Sequence, residues 1–246
     1  MPLSVPVAEI ASHIDQLLRV AEYDEGEPSN GLMVDAARPV TRIAAAVNTS
    51  FRAIEGAAAL GAELLLVHHT TWASIDLQLK ERKEDALRRA GLSLYGAHRA
   101  LDSHPELSPS VVLAGRLGLA IEPGARHGVV GRADGTFAAF VERLAAEVGV
   151  RPEAWRNTDA FGRVALVAGG AAMTSYLRAA LEAGCDTYVT GEGLMYTKLF
   201  AREAGLNLVF GTHYATEKHG VQAWAARVAE RFGLPWEFVA EDPDVL

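Results

Sequence analysis

Apolar positions along the chain switch repeatedly between two periods. Ile10, Ile14, Leu17 and Leu18 recur at three-to-four spacing, which predicts an amphipathic helix over residues 7–23. Leu64-Leu65-Leu66-Val67 shows no alternation, as expected of a strand buried on both faces, and it stops at His68-His69. Upstream, short strands are expected at 32–34 and 40–47, with an alanine-rich helix at 50–60 between the second of these and the histidine strand. Strand, helix and strand in that order imply parallel pairing through a crossover. Residues 76–90 predict a charged helix ended by Gly91, and 93–97 a strand running into His98-Arg99-Ala100-Leu101-Asp102. A helix over 108–117 has Pro109 in its favoured first turn.

The second half repeats the alternation. Helices are predicted at 136–148 (capped by Thr136 or Asp134), 174–183 and 194–204, strands at 163–167, 187–189 and 207–210. Gly211-Thr212-His213 opens a long helix to about Phe232, and a last strand is expected at 236–239. The expected class is therefore α/β: two α/β domains with mixed or parallel sheets, and a metal site at strand ends between them. The turn-rich Pro123-Gly124-Ala125-Arg126-His127-Gly128 is the expected boundary, giving domains 1–124 and 128–246, with the last helix able to pack back on the first. An acidic, turn-rich stretch is expected at Asp24-Glu25-Gly26-Glu27-Pro28-Ser29-Asn30-Gly31. Gly61 to His69 aligns without gaps on Gly184 to Glu192, which fits either a distant duplication of one helix–strand unit or coincidence.

Composition narrows the partners. A net charge of −8, with no basic stripe, argues against nucleic acid or a membrane surface. No run approaches eighteen apolar residues and the first residues do not resemble a signal peptide, so a cytoplasmic location is expected. The single cysteine, Cys185, excludes an internal disulfide or a cysteine cage, and its place between a helix and a strand suits a small buried residue better than a nucleophile.

Three polar clusters fall where strands end: His68-His69, His98 with Asp102, and His213 with Glu217. In an open α/β sheet the carboxyl ends of strands are the usual ligand-binding edge. Residues four apart on a helix share a face, so His213 and Glu217 could reach one ion. Imidazole and carboxylate without sulfur suit zinc, iron, manganese or nickel. Each cluster alone also fits a hydrogen-bonded structural histidine or a solvated helix pair. His13, His104, His127 and His219 lack comparable surroundings and read as surface or structural. Gly169-Gly170 before a helix suits an anion site or a tight turn equally, and no glycine-rich loop of Walker type supports a triphosphate.

Gly61-Ala62-Glu63-Leu64-Leu65-Leu66-Val67-His68-His69, Tyr95-Gly96-Ala97-His98 with Leu101-Asp102, Thr190-Gly191-Glu192, and Gly211-Thr212-His213-Tyr214-Ala215-Thr216-Glu217 follow one another in an order that resembles the Nif-three-like dinuclear-metal family. Its bacterial members are often labelled homologues of a type-two GTP cyclohydrolase I. The likeness runs from about Asn30 to about Gly233. It implies two divalent ions per chain held by His68, His69, Asp102, His213 and Glu217, with Glu217 the bridging carboxylate and His98 a nearby site residue. It also implies a toroidal homohexamer of two-domain subunits. One departure stands out: the family usually continues the histidine pair with Pro and a large apolar residue, where this chain has Thr70-Thr71-Trp72. Trp72 could stack on a planar substrate or cover the core.

The expected activity is metal-dependent hydrolysis, of cyclohydrolase or phosphoesterase type, on a small nucleotide-like substrate whose binding residues stay unassigned. Paired cations acidify water, and an imidazole such as that of His98 can carry the proton. The alternative is a non-catalytic ring whose metals are structural or regulatory and which acts through protein partners. A domain without metal is the third reading.

Overall fold

The structure is a computed structural model that describes residues 3–23, 26 and 28–241; the acidic residues Asp24, Glu25 and Glu27 of the expected turn lie outside them. In chain order the elements are α1 (Val7–Leu17), β1 (Asn30–Val34), β2 (Ile43–Asn48), α2 (Phe51–Ala59), β3 (Leu64–His69), α3 (Ala73–Asp76), α4 (Leu79–Ala90), β4 (Ser93–Ala97) and α5 (Arg99–Asp102). There follow α6 (Pro109–Arg116), β5 (Ala120–Glu122), β6 (Val129–Arg132), α7 (Phe137–Val148), β7 (Glu153–Trp155), β8 (Arg163–Val167), α8 (Thr174–Glu182), β9 (Thr187–Thr190), α9 (Met195–Glu203), β10 (Asn207–Phe210), α10 (His213–Phe232) and β11 (Trp236–Phe238). The alternation is α/β, and both sheets are mixed.

The chain divides into two compact units. The first runs to Leu107 and resumes at Val221; the second is Ser108–Gly220. The division thus falls at Leu107, not at the glycine turn after Pro123. The reason is local: β5 pairs antiparallel with β6, and Leu113, Ala114 and Leu117 of the preceding helical segment sit in the same core as Val129 and Phe140. A turn rich in Pro and Gly marks a bend, and here the bend is a connection inside one sheet.

In the first unit the strand order is β1-β4-β3-β2-β11. The pairs β4–β3, β3–β2 and β2–β11 are parallel, and only the edge strand β1 runs antiparallel, against β4. Burial explains the sequence pattern. Every residue from Leu64 to His68 is buried, so no polar alternation can appear. On one face Ala44, Ala46, Leu65, Val67 and Leu94 pack with Ala53, Ile54 and Ala57 of α2 and Leu87 of α4. Beneath the other, the Tyr95 and Trp224 rings lie 6.1 Å apart, and the Tyr95 hydroxyl donates to Asp15 at 2.5 Å.

The second unit's order is β5-β6-β8-β9-β10-β7. The central strands β8, β9 and β10 are parallel, and the outer pairs are antiparallel. Phe140 and Leu144 of α7 cover one face with Val164, Leu166 and Val189; Leu177 and Ala180 of α8 and Ala201 of α9 cover the other with Tyr188 and Leu208. Cys185 lies in that second core, buried, and burial pushes its thiol up to about 11, as a packing residue requires and a nucleophile does not. The aligned segments ending at His69 and Glu192 occupy matching places: β3 and β9 each have a parallel neighbour on both sides. No helix among the described residues is long and apolar enough to cross a membrane.

Candidate metal centre

The donors form two sets, one in each unit. In the first unit His68 and His69 end β3, and His98 follows β4, its parallel neighbour, so strand register alone brings the three imidazoles to one sheet edge. Ring centroids are 4.7 Å apart for His68 and His69, 5.0 Å for His68 and His98, and 5.5 Å for His69 and His98. Each ring offers a nitrogen within 4.8 Å of the others. Asp102, at the end of the single turn α5, brings Oδ1 to 3.5 Å from His68 Nε2.

The proton positions follow from the partners. His68 is fully buried and its Nδ1 lies 2.8 Å from the Ala97 carbonyl oxygen. A carbonyl can only accept, so Nδ1 carries a proton, and in the neutral ring Nε2 presents its lone pair. His69 Nδ1 lies 2.7 Å from Asn48 Oδ1, with the same consequence. Fixing one ring nitrogen as a donor so that the other can ligate is the usual outer-shell arrangement of metal-binding histidines.

Two further residues shape this edge. Asn30 Oδ1 accepts from the backbone N–H of His98 at 2.8 Å and of Ala100 at 3.3 Å, which holds the turn that carries His98. Trp72 is half-buried, its ring 5.3 Å from that of His98 and 5.7 Å from that of His69, and its indole N–H donates to Ser29 Oγ at 2.9 Å. It forms a wall of the histidine cluster, so Thr70-Thr71-Trp72 keeps an aromatic beside the ligand edge.

In the second unit His213 and Glu217 share a face of the first turns of α10, with His213 Nε2 3.1 Å from Glu217 Oε1. Glu217 is buried, and Glu192, after β9, lies 3.1 Å from His213 Nδ1. Burial alone would lower the pKa of His213, but the hydrogen bonds and charges of Glu217, then of Glu192, outweigh it and push it up to about 9. Two carboxylates around one imidazole make a strongly cation-seeking group, and a divalent ion can take the place of the proton. Thr212, immediately before the helix, has φ of +62°, a region costly for a residue with a Cβ. Its hydroxyl accepts from Ala215 N at 3.3 Å and its carbonyl from Thr216 Oγ1 at 2.9 Å, which holds the strained entry in place.

Gly169-Gly170 is a close-approach turn. Gly169 has φ of +77°, and a Cβ there would collide with Glu217 Oε1 and stand 3.1 Å from His213 Nε2. Gly191 is equally constrained, since its Cβ would be 2.7 Å from the Gly169 carbonyl oxygen and from His213 Cα.

The structure therefore gathers His68, His69 and His98 with Asp102 in one unit, and His213 with Glu217 in the other. Sequence reasoning assigned no role to Asn30, Asn48, Glu192 and Glu241. Only Glu192 carried a signal, in Thr190-Gly191-Glu192 at a strand terminus.

Nitrogen and oxygen donors without sulfur define a candidate site for a divalent transition metal. The profile of the Duf34/NIF3 family (NGG1p interacting factor 3) matches residues 5–244. A GTP cyclohydrolase 1 type 2 homolog of Deinococcus radiodurans is 34% identical over 94% of this chain and 91% of its own. A protein of the same description from Allochromatium vinosum is 36% identical, covering 96% of each chain. The solved structure of TTHA1606 from Thermus thermophilus is 32% identical, with a TM-score of 0.86 over 97% of this chain and 99% of the other. The chain belongs to the Duf34/NIF3 family.

Proposed function

We propose that the protein is a dinuclear metal-binding hydrolase acting on a small nucleotide-like substrate, with His68, His69, Asp102, His213 and Glu217 holding two divalent ions and Glu217 shared between them. The observation that carries this reading is the proton placement at β3. His68 Nδ1 donates to the Ala97 carbonyl, so the fully buried ring turns its other nitrogen, Nε2, toward Asp102 Oδ1 at 3.5 Å. A buried histidine kept for packing has no need of two more imidazoles and an aspartate beside its ring. The donor set fits zinc, iron, manganese or nickel.

When bound, such ions acidify water and polarise a carbonyl or phosphoryl oxygen. The chain's own residues supply the rest. His98 stands beside the first-unit ligands, where an imidazole can take up a proton from the attacking water and release it to a leaving group. Trp72 stands against the His69 and His98 rings and offers an aromatic surface to a planar base. The naming of its relatives as GTP cyclohydrolase 1 type 2 homologs supports a nucleotide-like substrate, and the family resemblance supports a homohexamer.

The test joins elemental analysis to turnover. Protein purified without chelator or affinity tag should carry two metal equivalents per chain, and Glu217→Ala should lose both. His98→Ala should keep metal and oligomeric mass while losing hydrolysis of nucleotides, phosphoesters or cyclic amides by at least about 100-fold. Unchanged turnover in His98→Ala would remove that residue from the reaction. A metal-free wild type that takes up no added zinc, manganese or iron would overturn the whole reading.

A further inference from the structure

Asn48 ends β2 directly opposite His69, and its side-chain amide is the partner of the His69 ring. An amide is symmetric in shape but not in chemistry: turned one way it offers oxygen to the imidazole, turned over it offers an N–H. What decides between them is Glu241, a buried carboxylate just beyond β11. Glu241 Oε2 accepts from the Asn48 backbone N–H at 2.9 Å and from Asn48 Nδ2 at 3.2 Å. Its other oxygen accepts from Ser50 Oγ at 2.9 Å, and the Ser50 oxygen is itself occupied in capping α2 by accepting from Ala53 N at 3.1 Å. The Asn48 backbone N–H can only donate, and an ionised carboxylate can only accept. The Asn48 NH₂ must then face Glu241, and Oδ1 must face His69.

We propose that Glu241 is a positioning residue for cation loading, acting through Asn48 to hold the His69 proton on Nδ1 and leave Nε2 open to a metal ion. The proposal rests on the reading of His69 as a ligand. Without Glu241 the amide is released. Turned over, it would donate to Nδ1 and drive the proton to Nε2, where it competes directly with a cation.

The probe is Zn²⁺, titrated into chelator-stripped full-length protein against a chromophoric competitor. Long-range ¹H–¹⁵N spectra of the histidine-labelled, metal-free protein report the His69 tautomer. Glu241→Ala should bind Zn²⁺ roughly 10–100-fold more weakly, the usual cost of losing an outer-shell partner, and should shift His69 toward the Nε2–H form. Glu241→Gln, whose amide oxygen still accepts from Asn48, should restore both affinity and tautomer. Should Glu241→Ala fail to fold, Asn48→Ala carries the same expectation, because it removes the acceptor of Nδ1–H. Wild-type affinity with an unshifted tautomer in either folded alanine variant would overturn the positioning role while leaving the metal site standing. Absence of Zn²⁺ uptake by the wild type would overturn the metal reading, and this proposal with it.

Discussion

Glu217 lies beneath a turn that has no room for a side chain. A methyl at Gly169 would strike its Oε1, and the φ of +77° there already disfavours any residue but glycine. Gly169→Ala should therefore push Glu217 and His213 out of place and cost about 1–3 kcal/mol of stability, combining steric and backbone strain. Differential scanning calorimetry reads the stability and elemental analysis the metal, which should fall together. A variant as stable as wild type with full metal content would show that the turn gives way freely. The residues of the candidate site were unevenly legible in the sequence for a physical reason. His68 and His69 interrupt a buried apolar strand, and His213 and Glu217 share a helical spacing; both are one-dimensional patterns. Asn48 and Glu241 act through hydrogen bonds between positions 193 apart, which no local period records.

At the level of elements, the strongest patterns translated directly. The run at 64–67 became the first four residues of β3, and the helix expected at 136–148 became α7, with Thr136 rather than Asp134 as its cap. Thr136 Oγ1 accepts from Ala139 N at 3.2 Å. Thr136→Ala should then cost about 0.5–2 kcal/mol in chemical denaturation, the usual range for a lost N-cap, and leave metal content unchanged. Loss of metal in that variant would show that α7 supports the ligands more directly than its packing on the second-unit core implies. Weak patterns did not translate. The edge strands β5 and β7 are three residues each with no residue fully buried, so no hydrophobic alternation marks them. The charged helix expected from residue 76 begins instead at Leu79, because Leu77 adopts φ of +51° and separates it from the short α3. Propensity sees a continuous run of helix formers there; the chain breaks it with one positive-φ residue between α3 and α4.

For the whole molecule, the decisive quantity is how far metal and folding are linked. The net charge of −8 gives a divalent cation a favourable long-range field at low ionic strength, while the ligands themselves set the affinity. An ion bound by the folded chain and not by the unfolded one stabilises by about 2.7 kcal/mol per site at a free concentration one hundred times its Kd. For a chain of this size each kcal/mol moves the melting midpoint by about 2–4 °C, so loading one site should raise it by roughly 5–10 °C. Chelated wild type titrated with zinc should show that rise, and Glu217→Ala should show none of it. A Glu217→Ala midpoint that climbs with zinc in parallel with wild type would place the binding at other surface groups and take Glu217 out of the ligand set. A wild-type midpoint that stays level while zinc is measurably bound would mean that the unfolded chain binds it as well as the folded one. In that case the preset tautomers of His68 and His69 would confer no advantage on the folded site, and the outer-shell argument built on Ala97, Asn48 and Glu241 would fall with them.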